Sequence, residues 1–314
     1  MGYQEKALKV IEEVEKVIVG KDLYIEKVMA AILAEGHILI EDIPGVGKTS
    51  MALAFAKAMD LQQNRVQFTP DVLPTDIIGF SMYRKELGTF EYQSGAVMCN
   101  LFLADEINRT SPKTQSALLE VMEEGTVTVD GITREVPKPF HVIATENTIG
   151  SAVTQMLPES QLDRFMICIL LGYPEKEDEL KILMDRDKKN PMDTLQPVIH
   201  REELISMQKE VEQTYIHKAV YEYIVSLAAA TRNNDLIELG ISPRGSLALS
   251  KMAKATAFLK GREYVIPNDV EEVFPDVAIH RIRLSGKGRL NHITPELVIE
   301  DILKKVKKPS PQKP

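Results

Sequence analysis

The chain has no tryptophan, only two cysteines, and aromatic residues at just 6% of its 314 positions. Cys99 and Cys168 lie in or beside apolar runs, with no CxxC or Cys/His neighbourhood. They read as buried structural thiols, and neither disulfide stapling nor a structural zinc is expected. Long apolar runs are missing too: none approaches the roughly 18 residues that signal a membrane span. The opening "MGYQEKALKVIEEVEKV" is charged and helical and has no signal-peptide core. A soluble, cytoplasmic protein without a transmembrane segment is therefore expected. Positive charge is in deficit, with 38 Lys and Arg against 46 Asp and Glu for a net charge of −8. A nucleic-acid binder is more often basic, so no nucleic-acid partner is expected. Apolar residues are plentiful at 44%, and the length suits two domains on a prior of roughly 100–200 residues each.

Periodicity divides the chain near residue 174. Before it, helical spacing over 3–17 and 22–35 leads to a strand at 37–41, a helix at 48–59 and a strand at 65–68. "NLFLADE" (100–106) is a continuous apolar run, as suits a strand buried on both faces of a parallel sheet. A helix over 111–125 has Pro112 in its first turn and Gly125 past its end. "VTVDGITREV" (127–136) alternates about Asp130-Gly131, a hairpin signal. Strands follow at 140–145 and 165–171. Beyond 174 the pattern is helical near 176–186, 201–213, 217–232, 243–260 and 294–307, with no convincing strand. The expected fold is α/β over 1–174, a parallel sheet with helices on both faces, then a smaller all-α domain over 175–308. Residues 309–314 read as a flexible tail.

"HILIEDIPGVGKTS" (37–50) has the layout of a phosphate-binding loop: strand, Gly-rich turn, Lys, Thr, helix. The usual pattern is G-x-x-x-x-G-K-[ST], and Asp42 stands where the first Gly belongs. An acid aimed at phosphates would repel them, so Asp42 is expected to face away. Pro44, Gly45, Val46, Gly47, Lys48, Thr49 and Ser50 form the candidate cradle. Backbone N–H groups at a helix N-terminus wrap phosphate oxygens there, aided by the helix dipole. Lys48 reaches the β- and γ-phosphates, and the Thr49 hydroxyl faces Mg²⁺.

A second signal makes the first specific. Asp105 and Glu106 close the apolar run at 100–106. An Asp there holds Mg²⁺, and a Glu beside it orients or deprotonates an attacking water. The pair argues for hydrolysis and not merely binding. No Asn-Lys-x-Asp guanine-reading motif occurs, so ATP is the expected nucleotide.

Four longer segments extend this reading: "ADEINRTSPKTQSALLEVMEEGTVTVDG" (104–131), "VIATEN" (142–147), "LPESQLDRF" (157–165) and "SPRGSLALSKMAKATAFLKGREYVIPNDV" (242–270). Together they resemble the MoxR family of AAA+ ATPases, over roughly 17–285. "EDIPGVGKT" itself is similar to loops of that family, Asp included. The resemblance implies an ATPase ring, a hexamer, that remodels or matures protein clients, often with partners bearing von Willebrand factor A domains. It implies that "VIVGK" cups adenine through Val19 and Gly20, a segment that reads equally as a plain helix break. Asn147 falls at the sensor 1 position. Glu146 and Thr148 flank it where Gln and Pro are usual, and "IGSAVTQM" departs from the usual Glu-rich stretch. Arg164 matches an arginine finger, although an ion pair with Asp163 or Glu159 is the plainer reading; Arg109 is a competing interface cation. Arg244 matches sensor 2, in cis or in trans. Residues 76–97 resemble the helix-2 insert of this clade, whose Tyr83, Phe90 and Tyr92 either grip a polypeptide or pack on their own domain. Two other functions remain open on sequence: a nucleic-acid motor, which DNA-stimulated ATPase would reveal, and a non-hydrolysing scaffold, against which the Asp105-Glu106 pair speaks.

Overall fold

The computed structural model describes residues 2–41, 46–147, 157–188 and 190–309. Helices α1 (Tyr3–Glu15) and α2 (Asp22–Leu33) lead into β1 (Ile38–Glu41), and α3 (Lys48–Ala58) returns to β2 (Gln63–Gln67). The short α4 (Pro74–Ile78) is followed by the hairpin β3 (Gly79–Arg84) and β4 (Thr89–Ser94). Next come β5 (Leu101–Asp105), α5 (Pro112–Glu124), the hairpin β6 (Thr126–Val129) and β7 (Ile132–Glu135), β8 (His141–Glu146), α6 (Glu159–Leu162) and β9 (Ile167–Ile169). Five of these strands form one parallel sheet in the order β2-β5-β8-β1-β9.

Alternation along each strand sends side chains to two cores. Ile38 and Ile40 of β1, Leu101 and Leu103 of β5, and Ile143 of β8 join one cluster with α1, α2 and α3. Leu39, Phe102, Ala104, Val142 and Ala144 join another with Leu118, Leu119 and Met122 of α5. Helices thus cover both faces, which is why these strands read as unbroken apolar runs. At the 127–136 hairpin, Asp130 and Gly131 take φ of 52° and 76°. Two successive positive φ values are what a two-residue turn needs to match strand twist.

The second part is mainly helical: α7 (Lys176–Lys188), α8 (Pro191–Thr194), α9 (Arg201–Glu212), α10 (Lys218–Arg232), α11 (Pro243–Leu259), α12 (Pro267–Ala278), α13 (Gly286–Leu290) and α14 (Pro295–Lys305). Residues of α9 to α12 and α14 share the first core with α1 and α2. Two findings differ from expectation. A two-stranded antiparallel ribbon pairs β10 (Ile237–Leu239) with β11 (Arg283–Leu284); runs of three and two residues are too short to show alternation. Helix α12 was also not anticipated. Pro267 sits in its first turn and Pro275 inside it, and a proline at an interior position ordinarily argues against a helix. Among the described residues, no helix is long and apolar enough to cross a membrane.

Candidate active site

The C-terminal ends of β1, β5 and β8 meet at one edge of the sheet, where open α/β sheets bind ligands. Gly47 caps α3 with φ of 94°, a left-handed conformation that an L side chain takes only at a cost. This turn starts the helix at Lys48, so Lys48 and Thr49 stand in its first turn. Lys48 is buried, and its Nζ donates to the Glu146 carbonyl at 3.3 Å. Val46 and Ser50 are half-buried beside them. Asp42, Pro44 and Gly45 lie outside the described residues, so the orientation expected of Asp42 has no counterpart in the structure.

Asp105 ends β5, and three groups converge on its carboxylate. The Thr145 hydroxyl donates to Oδ1 at 2.7 Å, Arg65 to Oδ2 at 2.7 Å, and the Thr49 hydroxyl to Oδ2 at 3.4 Å. At Glu106 the chain turns into the left-handed region, with φ 55° and ψ 51°. That turn sends the second acid a different way. The Glu106 N–H donates to Thr145 Oγ1 at 2.8 Å. Its carboxylate accepts from Gln67 at 3.0 Å and from Arg109 at 2.6 Å. Asn147 follows β8, and its carbonyl accepts from Asn108 at 3.3 Å. Lys48, Thr49, Asp105, Glu106 and Asn147 therefore share one edge.

Electrostatics below the cradle are unusual. Glu146 stands beside Glu41 in the β1–β8 register and is 4% exposed. Burial, reinforced by the Glu41 charge, pushes the Glu146 carboxyl up to about 7. Burial also raises Glu41, with the Cys168 thiol hydrogen-bonded to it acting in the opposite direction.

Arg164 and Arg244 are elsewhere. Arg164 donates to the Leu119 carbonyl and pairs with Glu123 Oε2 at 2.9 Å. Arg244 pairs with the other oxygen of the same Glu123 carboxylate. The alternative partners of Arg164 are taken: Asp163 pairs with Arg281, and Glu159 with Arg283. Both arginines line a cavity of about 270 Å³ together with Gly36 and His37. Those residues precede β1, whereas Lys48 follows it, so the four-residue strand separates the two clusters by about 13 Å at 3.3 Å per residue.

Gly20 takes φ of 72°, and a Cβ built there would overlap the Asp178 carboxyl of α7. Val19 beside it is half-buried. In the insert, gripping and packing divide between residues: Tyr92 donates to the Ile78 carbonyl at 2.6 Å and its ring lies under Arg134 at 4.0 Å. Tyr83 and Phe90 are exposed and touch each other, ring centroids 5.3 Å apart.

Residues 37–167 match the family described as ATPase family associated with various cellular activities (AAA), and 229–302 match the AAA lid domain. A relative in Mycobacterium tuberculosis named Chaperone MoxR1 is 40% identical over 96% of this chain and 82% of its own. The chain belongs to the MoxR family of AAA+ ATPases. A further relative, the Bacillus subtilis protein YeaC, is 46% identical over 98% of both chains. A crystal structure described as that of a candidate ATPase from Cytophaga hutchinsonii superposes with a TM-score of 0.91 at 38% identity, covering 98% of this chain and 96% of that one. A full-length MCM homolog from Methanopyrus kandleri, with TM-score 0.63 and 16% identity, shares the fold alone.

Against this MoxR-family frame, sequence reasoning missed Thr145, Arg65, Gln67 and Glu123. Thr145 carried a usable signal, since it sits two positions before Asn147 on an otherwise apolar strand. Arg65 and Gln67 alternate on β2, and Gln67 pairs with Asp105 in register. Glu123 carried none, because only packing brings it to the two arginines.

Proposed function

We propose that this chain is a Mg²⁺-dependent ATPase that assembles head to tail into a hexameric ring and uses ATP turnover to remodel or mature protein clients. The observation that carries the reading is the convergence of Lys48, Thr49, Asp105 and Glu106, with Thr145 tying the two acids together. Thr49 Oγ1 and Asp105 Oδ2 lie 3.4 Å apart, an oxygen donor set suited to a hard divalent cation. Mg²⁺ held there would neutralise phosphate charge.

In the proposed reaction, Lys48 and the N-terminus of α3 hold the nucleotide phosphates. Glu106, held by Gln67 and Arg109, accepts a proton from water as the water oxygen bonds to the γ-phosphorus. The bond from that phosphorus to the bridging oxygen breaks, and ADP leaves. Asn147 orients the water or the γ-phosphate. Val19 and Gly20 hold adenine. Arg164 and Arg244, remote from their own Lys48, serve the neighbouring subunit's nucleotide, where a guanidinium offsets the charge on the transferring group. A heterologous contact repeated around a ring puts a cradle on one side of each subunit and these arginines on the other. The exposed Tyr83 and Phe90 face the client, and partners with von Willebrand factor A domains follow from the family resemblance. The name of the mycobacterial relative supports the chaperone part of the reading.

Mixing two inactive variants tests the shared site. Lys48→Ala keeps its arginines but loses ATP binding, and Arg164→Ala keeps its cradle. Rings mixed from the two contain some junctions with both parts intact, so partial ATPase activity is expected, as is wild-type specific activity that rises with protein concentration. If rings shown to have exchanged subunits recover nothing, the shared-site reading fails. Stimulation of turnover by DNA would instead favour a nucleic-acid motor.

A further inference from the structure

Arg164 and Arg244 rest on backbone that a third arginine holds. Arg281 lies just past α12 and is only 6% exposed. Its guanidinium donates to Asp163 Oδ1 at 2.7 Å, the Asp163 carbonyl at 3.2 Å, the Phe165 carbonyl at 2.6 Å and the Met166 carbonyl at 3.1 Å. A further bond reaches the Val277 carbonyl at 2.6 Å within its own segment. These contacts bracket Arg164 on both sides and leave its side chain to Glu123 and the Leu119 carbonyl. The second Asp163 oxygen accepts from the Ser242 hydroxyl at 2.8 Å. Ser242 caps α11 by accepting from the Gly245 N–H, and Arg244 is the second residue of that helix. One carboxylate thus links the backbone before Arg164 to the helix start that carries Arg244. Gly245 leaves the room this needs: a Cβ there would stand 2.8 Å from Arg281 Cδ.

We propose that Arg281 and Asp163 are positioning residues for Arg164 and Arg244, fixing the backbone from which both guanidinium groups reach the neighbouring subunit's nucleotide. This rests on the reading of Arg164 as a finger acting between subunits. The chemistry favours arginine at position 281. Its planar fork carries five N–H donors in fixed directions, enough to hold several carbonyls and a carboxylate at once. Lysine, with three donors on one atom, cannot span them. A buried charge is retained at such a place only when paired and hydrogen-bonded, and Asp163 supplies the pair. Small displacements then matter, because charge stabilisation in phosphoryl transfer depends on where the donor stands when the bond breaks.

The test uses full-length protein. Arg281→Lys and Asp163→Asn are each assayed for kcat and KM, for binding of a fluorescent ATP analogue, and for ring size by light scattering. The expected result is a kcat lowered about ten- to a hundredfold, with KM and analogue affinity within about twofold of wild type and rings intact. Mixing supplies the readout that a mere core-to-lid staple would not give. Arg281→Lys mixed with Lys48→Ala should recover activity, because the first supplies a working cradle and the second a working finger. Arg281→Lys mixed with Arg164→Ala should recover nothing, because every junction lacks a positioned finger. The reverse pattern, or wild-type kcat in Arg281→Lys, overturns the proposal. If Arg281→Lys does not fold, Ser242→Ala decides. It removes the link from Asp163 to α11 together with the α11 cap, so it should lower kcat several-fold and be rescued by Ser242→Thr, which restores both, but not by Ser242→Asp, which can cap the helix and cannot donate to Asp163; unchanged kcat in Ser242→Ala overturns the proposal. A failed mix of Lys48→Ala with Arg164→Ala would instead refute the shared site itself, which keeps the two failures distinct.

Discussion

Thr145 bonds both acids of the site, through its hydroxyl to Asp105 Oδ1 and from the Glu106 N–H to its oxygen. Glu106 owes its separate direction to the left-handed turn there, so the two neighbouring carboxylates have different partners and different proposed roles. Glu106→Gln should still bind ATP, while turnover falls about a hundredfold or more, the range for losing a general base. Wild-type turnover in that variant would remove Glu106 from the mechanism. Glu146 allows a second residue-scale prediction. Its native carboxyl keeps its proton up to about pH 7, whereas an unfolded Glu releases it near pH 4.3. The associated stability is full below the unfolded value and is lost as pH rises through 7. Glu146→Gln, which cannot ionise, should therefore gain stability over wild type as pH rises, by on the order of 2 kcal/mol at pH 8. Chemical denaturation at pH 5 and pH 8 measures this, and an equal effect at both would mean that Glu146 is ionised throughout.

At the scale of elements, the insert shows how packing sorts residues that sequence leaves equivalent. Tyr92 is pinned by its hydroxyl to Ile78 and by its ring to Arg134, while Tyr83 and Phe90 on the same hairpin stand in solvent. Tyr92→Phe should cost about 1 kcal/mol, the net value of a typical hydrogen bond. Tyr83→Ala should leave melting temperature unchanged and weaken client-stimulated turnover. A lower melting temperature in Tyr83→Ala, with none in Tyr92→Phe, would reverse the assignment. The same scale shows what was legible. The hairpin at Asp130-Gly131 and the helix between Pro112 and Gly125 carry their own stop and turn chemistry, and they form where expected. Helix α12 was hidden by Pro275, because tertiary packing of Val270, Val273, Phe274 and Val277 into the core overrides a local preference.

For the whole molecule, one core runs from the α1 and α2 pair into the lid helices; His141 and His280 are buried and His37 is half-buried. Burial pushes His37 and His141 down to about 4, with the neighbouring His141 adding to the effect on His37. His280 is also driven well below its usual value by burial and by Arg281. All three stay neutral in the native state. Their contribution to stability is present above the unfolded value near 6.5 and is lost as pH falls toward 4, by about 1.4 kcal/mol per pH unit for each group. Their imidazole NMR signals should not titrate between pH 7.5 and 5. Titration near 6.5 would show that these rings are open to water.

The sequence by itself determined the family and pointed to the nucleotide chemistry proposed for it. A Gly-Lys-Thr turn and an Asp-Glu strand end are local patterns, and the parallel sheet that unites them follows from apolar strands alternating with helices. It also determined the fold class, a parallel sheet with helices on both faces followed by a helical lid, because the apolar period changes from strand-and-helix to helix alone. Tertiary structure decided which groups hold those acids and where the two remote arginines stand. Thr145, Arg65 and Gln67 reach the acids because β2, β5 and β8 are neighbours in the sheet, an order that no local pattern states. Glu123 meets Arg164 and Arg244 because α5 ends beside the turn before β9 and the start of α11, and contacts between segments this far apart are fixed only by packing.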